Sequence, residues 1–184
     1  MAFLEAKNLS KSFGGLQALK NVNMGVNKGE ILSLIGPNGA GKTTFFIVIT
    51  GFYRADEGQV IFNGENIIGL QTYAICRRGI ARTFQLVKPF SELTVLDNVM
   101  VGSFRRTGNR SEAQRQAQKI LDFTHLQGRE KKLGKELTTP DRKRSELARA
   151  LATEPELLLL DEVMSGLTPT ESIAAQDLIR SIRD

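Results

Sequence analysis

Gly36-Pro37-Asn38-Gly39-Ala40-Gly41-Lys42-Thr43 decides how this 184-residue chain is read. The stretch has the spacing G-x-x-x-x-G-K-T, with a short apolar run at residues 31–35 before it and a run of helical pattern at 42–50 after it. A buried strand that enters glycines and then a helix is the setting in which this pattern holds phosphate. Glycine lets the backbone come close to an anion and turn its N–H groups inward. The helix that begins near Gly41 aims the positive end of its dipole at the same point. The residues expected to touch the ligand are Gly36, Asn38, Gly39, Ala40, Gly41, Lys42, Thr43 and Thr44. Lys42 is expected to reach the β- and γ-phosphates, and the Thr43 hydroxyl to ligate magnesium. The ligand expected is ATP with Mg2+.

A phosphate loop of this kind needs an acid on the magnesium side, at the end of another strand. Leu157-Leu158-Leu159-Leu160 followed by Asp161-Glu162 fits: an apolar run, then two carboxylates. Asp161 is expected to hold the metal, through water. Glu162 is expected to polarise the attacking water as general base. Taken alone, these acids would read as an ordinary strand end; the phosphate loop gives them a role.

The remaining chain is strand-rich first and helical later. Residues 3–9 and 16–26 read as strands around a Gly14-Gly15 turn, and 59–62 as a strand before an Asn63-Gly64 turn. Residues 91–100 and 111–126 read as helices, 142–153 as a third and 170–183 as the last. The fold class expected is α/β: a P-loop NTPase core with a mostly parallel sheet, an N-terminal antiparallel β part and an inserted helical subdomain. The domain organisation expected is a first part of the ATP-binding core at 1–85, a helical subdomain at 86–140, and the second part of the core at 141–184.

Composition limits the alternatives. At 41% hydrophobic and 24% charged, the chain can bury an ordinary core, and its longest unbroken apolar stretch, residues 45–49, is far too short to cross a bilayer. The protein is expected to be soluble and to meet a membrane only through a partner. One cysteine, Cys76, excludes an internal disulfide. The net charge of +5 comes from scattered lysines and arginines in short clusters, which argues against a nucleic-acid face.

With these motifs in place, the sequence resembles the ATP-binding subunits of ABC transporters over essentially its whole length. More narrowly it is similar to the ATPases of branched-chain amino-acid importers. Lys11-Ser12-Phe13-Gly14-Gly15-Leu16-Gln17-Ala18-Leu19 is similar to their opening, and Gly79-Ile80-Ala81-Arg82-Thr83-Phe84-Gln85 to the stretch that carries the Q-loop glutamine. Leu93-Thr94-Val95-Leu96-Asp97-Asn98-Val99 is similar to the segment next along the chain in that group. The resemblance implies that Phe13 stacks on adenine and that Gln85 touches magnesium or the attacking water and reports to a permease. It places residues 165–169 in the D-loop. It implies a head-to-tail pair of ATPase subunits, each nucleotide lying between one chain's phosphate loop and the other's signature motif. It further implies a permease docked near Gln85 and residues 86–96, a peripheral location on the cytoplasmic face of the cell membrane, and no nucleic-acid partner.

Two departures from the family qualify this. The signature is normally Leu-Ser-Gly-Gly-Gln; here the stretch is Leu137-Thr138-Thr139-Pro140-Asp141. Thr138 keeps a hydroxyl for the γ-phosphate, but both glycines are gone and Pro140 has no N–H to donate. Thr139 is expected to cap the following helix, Pro140 to take its first position and Asp141 to complement its dipole. The partner ATPase is therefore expected to be a different chain with an intact signature. Secondly, the family continues to a strand ending in a switch histidine. The sequence given ends at Asp184, and its one histidine, His125, falls in the helical region. Relative to the family the chain reads as C-terminally truncated. The alternative readings are a cassette that binds nucleotide without turning it over, and a non-transport ABC ATPase.

Overall fold

The computed structural model describes residues 2–84 and 89–183. They form two compact units, one of residues 2–75 with 180–183, the other of residues 76–84 with 89–179.

The first unit is built on an antiparallel sheet. Strands β1 (Leu4–Phe13), β2 (Leu16–Val26), β3 (Glu57–Phe62) and β4 (Glu65–Asn66) lie in the order β2-β1-β3-β4. Gly14, at a φ of 56°, makes the β1–β2 turn, and Phe13 pairs with Leu16. On β1 and its neighbours, Leu4, Ala6, Val60 and Phe62 turn inward, the every-second-residue pattern of a sheet with one covered face. Helix α1 (Lys42–Ile49) buries Phe45, Val48 and Ile49. Asp56 fastens the far end of β1, its carboxylate accepting from Lys11 Nζ and from the Ser12 N–H, both at 2.6 Å. These two donors hold the Asp56 carboxyl below its ordinary value.

The apolar run at 31–35 does not become the buried strand expected of it. Among the described residues no strand pairs with it, and Ile35 is 94% exposed. An apolar run records a preference for burial; realising it takes a sheet to join and a layer to cover its faces. Neither edge strand of the antiparallel sheet, β2 or β4, pairs with it among the described residues.

The second unit is mainly helical. After α2 (Thr72–Arg77) come β5 (Ile80–Arg82), α3 (Val95–Ser103), α4 (Arg110–Phe123), a 3-10 turn at Gly134–Glu136, α5 (Thr139–Leu151), β6 (Leu157–Leu159) and α6 (Pro169–Arg183). Val95, Val99, Ala117, Leu121 and Ala148 form the core between α3, α4 and α5. The close approach of α3 to α5 requires Gly102: a Cβ there would run into the Arg149 carbonyl and Ala152 Cβ. Helix α3 begins at Val95, four residues later than its apolar pattern suggests, because the Thr94 side chain accepts from the Asp97 N–H and caps it there. Strands β5 and β6 pair in parallel, Ile80 with Leu157 and Arg82 with Leu159.

Candidate functional site

In the first unit the loop of residues 36–42 has the geometry an anion needs. Gly39 and Gly41 lie at φ 82° and 86°, a region closed to side chains at low cost. Gly41 is further constrained, because a Cβ would collide with the Ala18 carbonyl and press on Leu19. Helix α1 starts directly after it with no side-chain cap and no acid in its first turn. An N-terminus of this kind presents backbone N–H groups to an incoming anion. Lys42 Nζ bonds the Gly36 and Pro37 carbonyls at 2.7 and 2.8 Å. An ammonium group has three donors, so these two bonds aim it across the loop and leave one for phosphate. Thr43 and Thr44 occupy the first turn of α1. Phe13, 39% exposed at the end of β1, meets Tyr53 edge-on at 5.2 Å, with Lys11 Nζ 5.4 Å from its ring centre. Tyr53 was not singled out by the sequence; with Phe13 it makes an exposed aromatic pair in the same unit as the loop.

In the second unit β5 and β6 carry the acids. The Thr83 N–H donates to the Leu159 carbonyl at 3.0 Å, and the Asp161 N–H to Thr83 Oγ1 at 3.2 Å. These bonds extend the parallel pairing past the strand ends and fix the Asp161 backbone. The Asp161 carboxylate accepts from Arg82 at 2.9 Å. Sequence reading missed Arg82, which stands 79 residues away with nothing in its spacing to tie it to the acid. Glu162 is exposed and takes a φ of 50°, left-handed for a residue with a full side chain. Its carbonyl accepts from the Ser165 N–H at 3.0 Å, closing a turn. Gln85 lies outside the described residues. The loop at Phe90–Thr94 is gripped by Asn98, buried on α3. Its side chain donates to the carbonyls of Phe90, Leu93 and Thr94 and accepts from the Phe90 N–H.

The signature region differs in detail from expectation. Thr138, not Thr139, is the cap of α5, its hydroxyl accepting from the Asp141 N–H at 3.4 Å. Its extended backbone (φ −64°, ψ 163°) sets the hydroxyl three residues before that N–H. Pro140 is thereby the second helical residue. The missing proton costs the helix nothing, since the first four helical N–H groups have no intrahelical acceptor. Asp141, 8% exposed, pairs with Arg129 at 3.2 Å and Arg144 at 3.6 Å, so two cations offset its charge. His125 follows α4 as an exposed residue in the left-handed region.

The oxygen donors expected for magnesium, the Thr43 hydroxyl, the Asp161 carboxylate and the Gln85 amide, suit a hard cation by type, but the Asp161 carboxylate is here paired with Arg82 and would have to exchange that partner to reach a metal. Among the described residues no group of three or more His, Cys, Asp or Glu could hold a metal by itself. Likewise, no helix among them is long and apolar enough to cross a membrane.

Comparison with known proteins gives the family. The ABC transporter family model matches residues 19–165. The probable branched-chain amino acid transport ATP-binding protein LivG of Archaeoglobus fulgidus is 40% identical over 94% of this chain and 72% of its own. The lipopolysaccharide export system ATP-binding protein LptB of Escherichia coli K12 is 37% identical over all of this chain and 77% of its own. A solved ATP-binding cassette of an ABC transporter superposes with a TM-score of 0.91 at 33% identity, covering all of this chain and 78% of that one. With its family model matching residues 19–165 and a relative 40% identical over 94% of its length, the chain belongs to the ABC transporter family of ATPases.

Proposed function

We propose that this chain hydrolyses ATP to drive import of branched-chain or related amino acids through a separate permease, from the cytoplasmic face of the membrane. The observation that carries the hydrolytic part is Glu162. A carboxylate directly after the metal-side acid is held exposed in a conformation that costs of order 1 kcal/mol, and such strain collects at working sites. Lys42 and the N–H groups of residues 38–43 would bind the phosphates, and Phe13 would stack on the base. Glu162 would take a proton from water as it attacks the γ-phosphate, with Gln85 orienting that water. Thr43, Asp161 and Gln85 are the residues that would hold magnesium, which when bound neutralises charge on the phosphates.

The solute class rests on the 40% identity to LivG. The similarity to LptB favours a second reading, in which the same hydrolysis powers export of a lipid. The permease that co-purifies with the chain separates the two.

We also infer a head-to-tail pairing with a different ATPase chain. Its support is the altered signature, in which Pro140 has no N–H and the Asp141 carboxylate is committed to Arg129 and Arg144.

The test is magnesium-dependent ATP binding by the purified chain and single-turnover hydrolysis by the complex assembled with its partner ATPase, each beside Glu162→Gln. Binding in both with hydrolysis only in the wild type is the expected result. Equal hydrolysis in both would remove Glu162 from the reaction.

A further inference from the structure

Helix α5 sends two side chains, three residues apart on one face, to two different loops. Lys143 Nζ donates to the carbonyls of Glu162 at 3.4 Å, Val163 at 3.3 Å and Ser165. An ammonium has three donors and no acceptor, and three carbonyls of a single turn surround it. One turn further along α5, the Glu146 carboxylate accepts from the Phe84 N–H at 2.8 Å. Phe84 comes directly after Thr83, whose hydroxyl holds the Asp161 N–H.

The turn after β6 needs an external hold. Glu162 is in the left-handed region, which disfavours residues with a Cβ. Three carbonyl dipoles of the same turn converge on one point and repel one another unless a cation sits there. Within the turn, the Ser165 N–H donates to the Glu162 carbonyl at 3.0 Å and closes the loop, but it offsets the charge on that one oxygen only. Lys143 does, and it comes from a helix packed into the unit's core through Leu147, Ala148 and Ala152. The turn therefore takes its position from α5, not from β6 alone.

We infer that Lys143 is a positioning residue for hydrolysis: by gathering the Glu162, Val163 and Ser165 carbonyls it keeps Glu162 in its left-handed conformation and ties the general base to the helix that begins at the signature. The inference rests on the reading of Glu162 as the base. Lys143 does not touch the nucleotide in this role, and it leaves ATP affinity unchanged. A displacement of about 1 Å at a reacting group costs about 10²-fold in rate, which sets the effect to look for.

The experiment compares wild type, Lys143→Met, Lys143→Arg and Glu162→Gln in the assembled transporter. Lys143→Met keeps the length of the side chain and removes its donors; Lys143→Arg restores a cation with several. Three quantities are read: ATP affinity, the hydrolysis rate, and amide hydrogen exchange at residues 163–167. In Lys143→Met the exchange should accelerate about tenfold or more. Hydrolysis should fall by about 10- to 100-fold, with ATP affinity within about twofold, and Lys143→Arg should recover most of both losses. Exchange at 163–167 unchanged in Lys143→Met overturns the clamp whatever the activity. Faster exchange with undiminished hydrolysis, while Glu162→Gln is inactive, overturns its role in positioning. Full hydrolysis in Glu162→Gln would instead show that the reading of the base had failed, with the exchange data still deciding whether Lys143 holds the turn.

Discussion

The Arg82 guanidinium and the Asp161 carboxylate meet at 2.9 Å with their side chains only 6% and 5% exposed. Two charges this far from water hold each other in place, and removing one leaves the other buried without its counter-charge. Arg82→Ala should therefore destabilise the chain by about 3 kcal/mol, read as a shift in a urea unfolding curve. Arg82→Lys should lose less, because it keeps the charge while giving up the guanidinium's planar geometry. Equal stability of Arg82→Ala and wild type would mean that water reaches Asp161.

Gly41→Ala tests the phosphate loop. The residue takes a φ of 86° and its missing Cβ makes room for the Ala18 carbonyl. Alanine must either move β2 or flatten the loop, at a cost of about 1–3 kcal/mol. ATP affinity measured by calorimetry should drop by at least about tenfold, more than the melting temperature would suggest, because the change falls on the anion cradle.

Glu146 gives the chain a pH dependence of known sign. Burial raises its carboxyl above the ordinary value of 4.5, against the opposing pull of the Phe84 N–H and of Arg149, Lys143 and Arg82. A raised acid binds its proton more tightly when folded. Its contribution is present in full below pH 4.5 and is lost as the pH climbs through the folded value. Glu146→Gln keeps an oxygen for Phe84 and cannot ionise. Its stability relative to wild type should rise with pH across that window, seen in melts at a series of pH values. A constant difference would show that Glu146 is ionised as readily in the fold as outside it.

Replacing Thr139 and Pro140 together by glycine restores two residues of the family signature. Glycine in the first turn of α5 should lower stability by about 1 kcal/mol. Turnover by the assembled complex should nonetheless rise, since a backbone N–H returns at position 140. Unchanged turnover would show that the altered signature of this chain does not limit the complex, and would remove the support for a different partner chain.

Local chemistry is legible in the sequence where one segment decides it. The bounds of β2 and α1 come from turn and glycine signals, and the phosphate loop is complete as written. Relations between distant segments are not legible. Nothing near Arg82 announces Asp161, and nothing in Arg142-Lys143-Arg144, which looks like a solvated basic cluster, reveals that Lys143 turns toward the carbonyls after β6. The sequence puts the cap of α5 one residue late, because Thr138 and Thr139 are both competent and only backbone geometry chooses between them. Residues 31–35 mislead differently: their pattern describes a neighbour that the antiparallel sheet does not provide.

That run has a practical consequence. Ile31, Leu32 and Ile35 present greasy side chains to water in a segment whose backbone no strand pairs among the described residues. Two copies of the chain at high concentration can satisfy both needs at once by zipping together along it. Light scattering should climb with protein concentration for the wild type and subside on Ile35→Lys; equal scattering from both would clear this segment.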